Sequence, residues 1–387
     1  MIDKQKKILF FAHDGRGLGH LQRLSRIAGS MQGYAACLIV SGHREMSWIV
    51  PQQCEYVHLP NLEIFLKNER SSAAVPFLKF ESEEDVISFR KKLLHGIITA
   101  FAPDAIFTDY LPLGRVGELD EIIKNYSAKK YYIARGVLNF PDRVNVDVFN
   151  DKGKEYLERY YDKIFVTCDS RICDLAKEYS LSKILEDKLI YVGYVRGSIA
   201  SENIPKIRVE RGIGDKDIWV VCSLGGGKLG EDSVQKYMDL AQKHPNKYFD
   251  IVLGPKTDLQ LDCYVTTYID RNNIRIHKEN HFLKHLHDAC DISICSGSYN
   301  TLVECLQGGS YIITYPLGAR IEDEQYIHSQ RLSKFVNIAV ATDLLCLERA
   351  FDLALAKIEN GDAKDLRGEL NYDGRENIKR IVFEDLL

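Results

Sequence analysis

No run in the 387 residues approaches the roughly 18 apolar positions that a membrane-crossing helix needs. Nor does a long apolar segment with a cleavage site follow Met1-Ile2-Asp3-Lys4-Gln5-Lys6-Lys7, so neither a membrane span nor a secretion signal is expected. An excess of one charge is also missing: 51 Lys and Arg oppose 55 Asp and Glu, for a net charge of −4. Phosphate-backbone binding leaves a basic footprint, and its absence excludes nucleic acid as the main partner. Internal repeats, low-complexity tracts and paired cysteine spacings are lacking too. The ten cysteines are scattered and mostly flanked by apolar residues, as in Ala36-Cys37-Leu38, Val221-Cys222-Ser223 and Ile294-Cys295-Ser296. They read as buried free thiols of a cytoplasmic protein. His281, His285, His287 and Cys290 are not completed by a second ligand pair, so no zinc is expected. Asp215-Lys216-Asp217 looks like a metal-binding D-x-D but lies between elements and reads as solvated.

What is present is an ordinary globular composition, 45% hydrophobic and 27% charged, in a chain longer than one core usually organises. β-rich runs alternate with helical periods along nearly the whole length. In the first half they fall at 8–12, 36–41, 55–59, 105–108, 130–134, 163–167 and 189–192. In the second half they fall at 218–222, 248–253, 274–277, 292–295, 311–315 and 338–340. Such alternation predicts two parallel sheets wound with crossover helices, an α/β fold. Residues 196–217 show no sustained apolar period and carry Gly197, Pro205, Gly212 and Gly214, which predicts a linker between domains 1–195 and 218 onward. Residues 60–79, with a polar centre Asn68-Glu69-Arg70-Ser71-Ser72, are too long for an ordinary connection and predict a lid or mobile segment.

Several strand ends carry residues suited to chemistry. The first strand runs into His13-Asp14-Gly15-Arg16-Gly17-Leu18-Gly19-His20 and then a helix marked by Leu21, Leu24, Ile27, Ala28 and Met31. Gly15, Gly17 and Gly19 lack the dinucleotide-fingerprint spacing, and no acid ends the second strand, so NAD is disfavoured. A helix start should keep His20 neutral and able to act as a base. Thr108-Asp109-Tyr110 ends the fourth strand, and the carboxyl ends of parallel strands share a ligand crevice. Asp109 could orient and polarise His20 there; equally, Asp109 could cap a helix while His20 fills a first turn.

In the second half, Ser223-Leu224-Gly225-Gly226-Gly227-Lys228-Leu229-Gly230 permits close backbone approach to a diphosphate, or is simply a tight turn. It is not a Walker A loop, since Leu229 follows Gly227-Lys228. Ser296, Gly297 and Ser298 offer donors at the start of another helix, where Glu304 shares a face with Asn300 and could accept from a ribose diol. The alternative is an exposed salt bridge, but a Glu between Val303 and Cys305 on an otherwise apolar helix is seldom merely solvated. The run Glu322-Asp323-Glu324-Gln325 suits a hydroxyl-rich ligand or, equally, an acidic first helical turn.

Taken together, Gly17-Leu18-Gly19-His20, Thr108-Asp109-Tyr110-Leu111-Pro112-Leu113-Gly114, Tyr191-Val192-Gly193-Tyr194-Val195, Gly225-Gly226-Gly227, the segment from Ser296 to Glu304 and Asp323-Glu324-Gln325-Tyr326 resemble the GT-B glycosyltransferases. The resemblance is strongest to the group holding the peptidoglycan N-acetylglucosaminyltransferase and bacterial predicted glycosyltransferases. It implies two Rossmann-like, doubly wound parallel-sheet domains facing a cleft. Residues 1–195 would bind the acceptor, residues 218–375 would bind the nucleotide sugar, and a helix at 376–387 would cross back to the first domain. Gly225, Gly226, Gly227, Ser296, Gly297 and Ser298 would hold the diphosphate and Glu304 the ribose. Asn280, His281 and Phe282 would flank the base, and Glu324 and Gln325 the donor sugar. His20 with Asp109 would be catalytic, with Gly17 and Gly19 on the acceptor side. The implied partners are a nucleotide-sugar donor, UDP-linked, and a small-molecule, lipid-linked or saccharide acceptor, with room for peripheral membrane contact. The implied chemistry is inverting, with no cofactor and no metal. A nucleotide-sugar 2-epimerase, which needs paired acids facing the sugar, and a non-catalytic nucleotide-sugar-binding protein stay open beside it.

Overall fold

The structure, a computed structural model, describes residues 5–13, 18–44, 48–60, 82–197, 204–225, 231–254, 273–278, 283–316, 324–362 and 368–387. The chain divides into two compact units, one of residues 1–195 with 371–387 and the other of 196–370.

The first unit holds seven strands: β1 Lys6–Ala12, β2 Ala35–Ser41, β3 Cys54–His58, β4 Ala105–Asp109, β5 Lys129–Ala134, β6 Lys163–Val166 and β7 Leu189–Tyr191. They form one parallel sheet in the order β3-β2-β1-β4-β5-β6-β7. Near-continuous apolar runs such as Ile8-Leu9-Phe10-Phe11 suit strands covered on both faces, and all four of these side chains are buried. β1 pairs with β2 on one side and β4 on the other, so the winding reverses between β1 and β4. At such a switch point the connections leave in opposite directions and open a crevice at the carboxyl ends. The helix Gly19–Ser30 packs Leu21, Leu24, Ile27, Ala28 and then Met31 into the core beside Ile8, Phe10 and Phe107. The returning helix Gly374–Leu386 adds Ile378, Val382 and Leu386 to that same core.

The second unit holds β8 Trp219–Ser223, β9 Tyr248–Val252, β10 Ile274–His277, β11 Ile292–Cys295, β12 Tyr311–Thr314 and β13 Ile338–Val340. Their order is β10-β9-β8-β11-β12-β13, again all parallel, with the reversal between β8 and β11. Two such units, each a doubly wound Rossmann-like sheet, make the fold GT-B.

The segment 196–217, expected to be a linker, instead contains the helix Ile204–Arg211, built into the second unit. Ile207 packs against the cluster of Trp219, Val221 and Leu286. Arg208 donates to the carbonyls of Ala289, Gly214 and Asp217 and to the Asp291 carboxylate. An arginine reaching four oxygens leaves no periodic apolar stripe to read. The described cysteines are all free thiols. No helix among the described residues is long and apolar enough to cross a membrane.

Candidate functional site

Both reversals of winding gather the residues singled out from the sequence. In the first unit, β4 delivers Asp109 at its carboxyl end and the helix after β1 delivers His20 in its first turn, one on each side of the β1/β4 switch point. His20 Nδ1 lies 3.3 Å from Asp109 Oδ1. The imidazole side chain keeps 16% exposure while the carboxylate has none, so only the histidine is reachable from outside.

A residue not foreseen completes the group. Arg23, one turn after His20, places Nη2 at 2.6 Å and 2.7 Å from the two Asp109 oxygens and 3.2 Å from His20 Nδ1. Arg23 and Asp109 are each 1% exposed. Burial alone would raise the Asp109 carboxyl, but the Arg23 guanidinium, with hydrogen bonds from His20 and Arg23, outweighs it and brings its pKa to about 2. Burial lowers the pKa of His20, helped by the cations of Arg23 and Arg135 and opposed by Asp109. The ring is therefore neutral. His13, at the end of β1, meets His20 edge-on at 5.0 Å, and burial pushes its pKa down to about 2.

Tyr110 walls this group. Its φ of 70° is unusual for a non-glycine residue and turns the chain sharply out of β4. Tyr132 steadies the turn by donating its hydroxyl to the Tyr110 carbonyl at 2.6 Å. The ring then sits 5.5 Å from His13 and 5.2 Å from His20, with the Arg135 guanidinium 5.3 Å above it. Further along the same connection, Glu118 accepts from Val116 N at 2.9 Å and from Arg90 Nη2 at 2.7 Å, and Arg90 also donates to the Pro60 carbonyl. Both side chains of this ion pair are fully buried.

In the second unit the turn after β8 meets the helix after β11. Gly225 takes φ +65°, and a Cβ there would stand 3.6 Å from the hydroxyls of Ser298 and Thr301 and 4.0 Å from that of Ser296. The backbone of this turn thus lies close to the start of the helix Tyr299–Gly308, whose first N–H groups have no intrahelical partner and favour an anion. Ser298 caps that helix by position without a side-chain cap bond; its hydroxyl instead donates to Thr301 Oγ1 at 3.1 Å. Glu304 is 6% exposed within a helix whose residues 299–307 are all buried, which removes the exposed salt bridge as its role. Ser223 and Thr314 end β8 and β12 in register with Cys295, and their hydroxyls are buried with no partner among the described residues. Their sequence signal was the terminal polar residue of otherwise apolar strands.

Gly297, at φ +80°, ties this region to the helix Glu324–Leu332: a Cβ there would fall 2.8 Å from Ser329 Oγ and 3.3 Å from the Gln325 carbonyl. Glu324 and Gln325 stand in that helix's first turn, half-buried. Alanine at 297 should therefore displace this helix, costing about 1–3 kcal/mol of stability and weakening any ligand at the Ser296–Ser298 turn. Unchanged melting and binding would show the turn to be more pliable than its geometry implies.

Gly17, Gly226, Gly227, Asn280, His281 and Phe282 lie outside the described residues, as does nearly all of 60–79. Gly19 is the first residue of its helix. His287 and Cys290 both bond to the Ser293 hydroxyl, at 2.9 Å and 3.2 Å, and belong to the buried interior. Asp217 accepts from Gly214 N at 2.7 Å, and Asp215 and Lys216 are exposed. Among the described residues no group of three or more His, Cys, Asp or Glu could hold a metal ion.

No protein-family model matches the chain, and no curated protein matches it in sequence. Solved structures do resemble it in fold. A glycosyltransferase from Rickettsia africae aligns over 99% of both chains at 14% identity with a TM-score of 0.61. The UDP-GlcNAc 2-epimerase of Neisseria meningitidis, bound to UDP-GlcNAc, aligns over 99% of both chains at 14% identity with a TM-score of 0.63. The protein LpCGTa, in complex with UDP, aligns over 98% of this chain and 99% of its own at 12% identity with a TM-score of 0.63. At this level of identity the likeness is one of fold.

Proposed function

We propose that the chain is a glycosyltransferase that moves a sugar from a nucleoside diphosphate sugar, UDP-linked, to an acceptor hydroxyl, with inversion and without a metal. The observation that carries this reading is that each switch point holds one half of the required chemistry: a neutral histidine beside a buried carboxylate in the first unit, and a glycine turn against a helix start in the second. Neighbours in fold that were solved with UDP and UDP-GlcNAc support the choice of donor.

In this reading the second unit receives the donor. Gly225 and the Ser296–Ser298 turn hold the diphosphate, Glu304 accepts from the ribose diol, and Glu324 and Gln325 meet the sugar. As the bond from sugar to phosphate breaks, negative charge grows on the leaving diphosphate. Backbone N–H groups already aimed at that charge lower the barrier without reorganising. The sugar carbon becomes oxocarbenium-like and is attacked from the opposite face by an acceptor hydroxyl whose proton passes to His20. Residues 1–195 are thus the acceptor side, and the protein needs no helix through a membrane to act on a small, saccharide or lipid-linked acceptor.

The epimerase reading is favoured by one of the neighbours in fold. It asks for two carboxylates facing the sugar, and the carboxylate beside His20 is engaged by Arg23.

The test is a thermal-shift comparison. UDP at ~100 times its Kd adds about 2.7 kcal/mol of apparent stability, and uridine at the same concentration adds far less. Equal shifts would overturn the diphosphate site. Glu304→Ala should weaken UDP while sparing its 2′,3′-dideoxy analogue, which lacks the diol. An equal loss for both ligands would make Glu304 structural.

A further inference from the structure

We infer that Arg23 is a positioning residue for His20: by gripping both oxygens of Asp109 it holds in place the carboxylate that keeps the ring proton on Nδ1 and leaves the Nε2 lone pair for the acceptor. This deepens the reading of His20 as the base and rests on it.

The argument is one of donors and acceptors. Nη2 of Arg23 lies 2.6 Å from Asp109 Oδ1, His20 Nδ1 lies 3.3 Å from the same oxygen, and the two nitrogens are 3.2 Å apart. A guanidinium only donates and an ionised carboxylate only accepts. An unprotonated Nδ1 could accept from Arg23 Nη2 but would set its lone pair against an ionised carboxylate oxygen. With the proton on Nδ1, both nitrogens donate to Oδ1, and the shared negative oxygen offsets the approach of two donors 3.2 Å apart. Arg23 sits three residues after His20, on the same face of the helix, so one short helical segment presents both donors to one acid from β4.

The arrangement also bears on charge. The groups facing His20 are Arg23 from its own helix, Asp109 and Tyr110 from β4 and its turn, His13 from the end of β1, and Arg135 after β5. His13 in turn feels Arg115 and His43. Asp109 favours the imidazolium, and Arg23 and Arg135 oppose it. A histidine paired with a bare aspartate would hold its proton to higher pH. With Arg23 on the same carboxylate, the ring stays a free base.

The test is nitrogen-15 NMR of the histidine rings in the full chain, with the His20 signal assigned by its loss in His20→Ala. The wild type should show the Nδ1–H form between roughly pH 6 and 8, the range over which an ordinary histidine would be changing its charge. In Arg23→Gln the ring should titrate about one pH unit higher, because a cation within about 4–6 Å has been removed. The acid limb of the pH–rate profile should move up with it. Arg23→Gln leaves Asp109 buried without its cation and can fail to fold. Arg23→Lys keeps the charge but not the fork, and is expected to titrate near wild type with a mixture of tautomers. An Nε2–H form in the wild type, or an Arg23→Gln ring that titrates where the wild type does, overturns the inference. Those signals are independent of turnover. If they appear as expected while His20→Ala transfers sugar at full rate, the base reading falls and the role of Arg23 stands.

Discussion

Alanine in place of His20 is expected to lower the rate of sugar transfer by ~10²- to 10⁴-fold and to leave nucleotide affinity nearly unchanged, because the ring belongs to one unit and the proposed diphosphate donors to the other. Hydrolysis of the donor by water suffers less than transfer if the proton removed is that of the acceptor hydroxyl. Asp109→Asn slows transfer as well, and adding it to His20→Ala brings little further loss, since a carboxylate has no ring left to orient. The Arg23 contact complicates that second variant: removing the Asp109 charge strands a guanidinium that is 1% exposed, so a fall in stability accompanies the fall in rate. Rates must therefore be compared well below the melting temperature of each variant. Full transfer by folded His20→Ala would remove the histidine from the mechanism.

The largest loss of stability is expected at Arg90 and Glu118. Their ion pair is 2.7 Å long with both side chains fully buried, and each partner also anchors backbone: Arg90 the carbonyl of Pro60, Glu118 the N–H of Val116. Removing one partner leaves a charge without water or counter-ion, at a cost of about 3–5 kcal/mol. Arg90→Ala or Glu118→Ala should shift the urea midpoint of the first unit by that amount. Replacing both with apolar residues of similar volume, as in Arg90→Met with Glu118→Leu, should recover much of it. A single-variant loss below about 1 kcal/mol would show that water reaches the pair. The turn that carries Tyr110 lies between β4 and Glu118, so the weakened variants should also bind acceptor less well.

The sheets were legible because buried parallel strands are written as short apolar runs. Each of the thirteen strands among the described residues overlaps a run recognised in the sequence, with ends moved by a residue or two. Gly225 was legible for a different reason: glycine clusters where φ is positive, and here φ is +65°. The helix Ile204–Arg211 was not legible, since Arg208 holds it through hydrogen bonds to carbonyls and periodicity registers only apolar side chains. Arg23 escaped for a related reason. It lies between Leu21 and Leu24 on a helix whose apolar pattern accounts for the fold without it. The partner that explains its burial is an acid 86 residues away, on another element. The available clue was its spacing of three from His20, which places both on one face.

Residues 371–387 complete the first unit, and this sets an order of events during synthesis. Tyr194 N donates to the Asn371 carbonyl at 2.7 Å, Val195 bridges Asp373, and Ile378 and Val382 close the core that β1 begins. The first unit emerges from the ribosome first yet cannot close until the chain has been made through residue 386. The second unit is continuous from 196 to 370 and is synthesised completely before that helix. N-terminal domains usually fold first. Here the later domain is free to finish while the earlier one waits with an apolar groove uncovered beside Ile8 and Phe10, a stage at which chaperone capture or aggregation has its best opportunity.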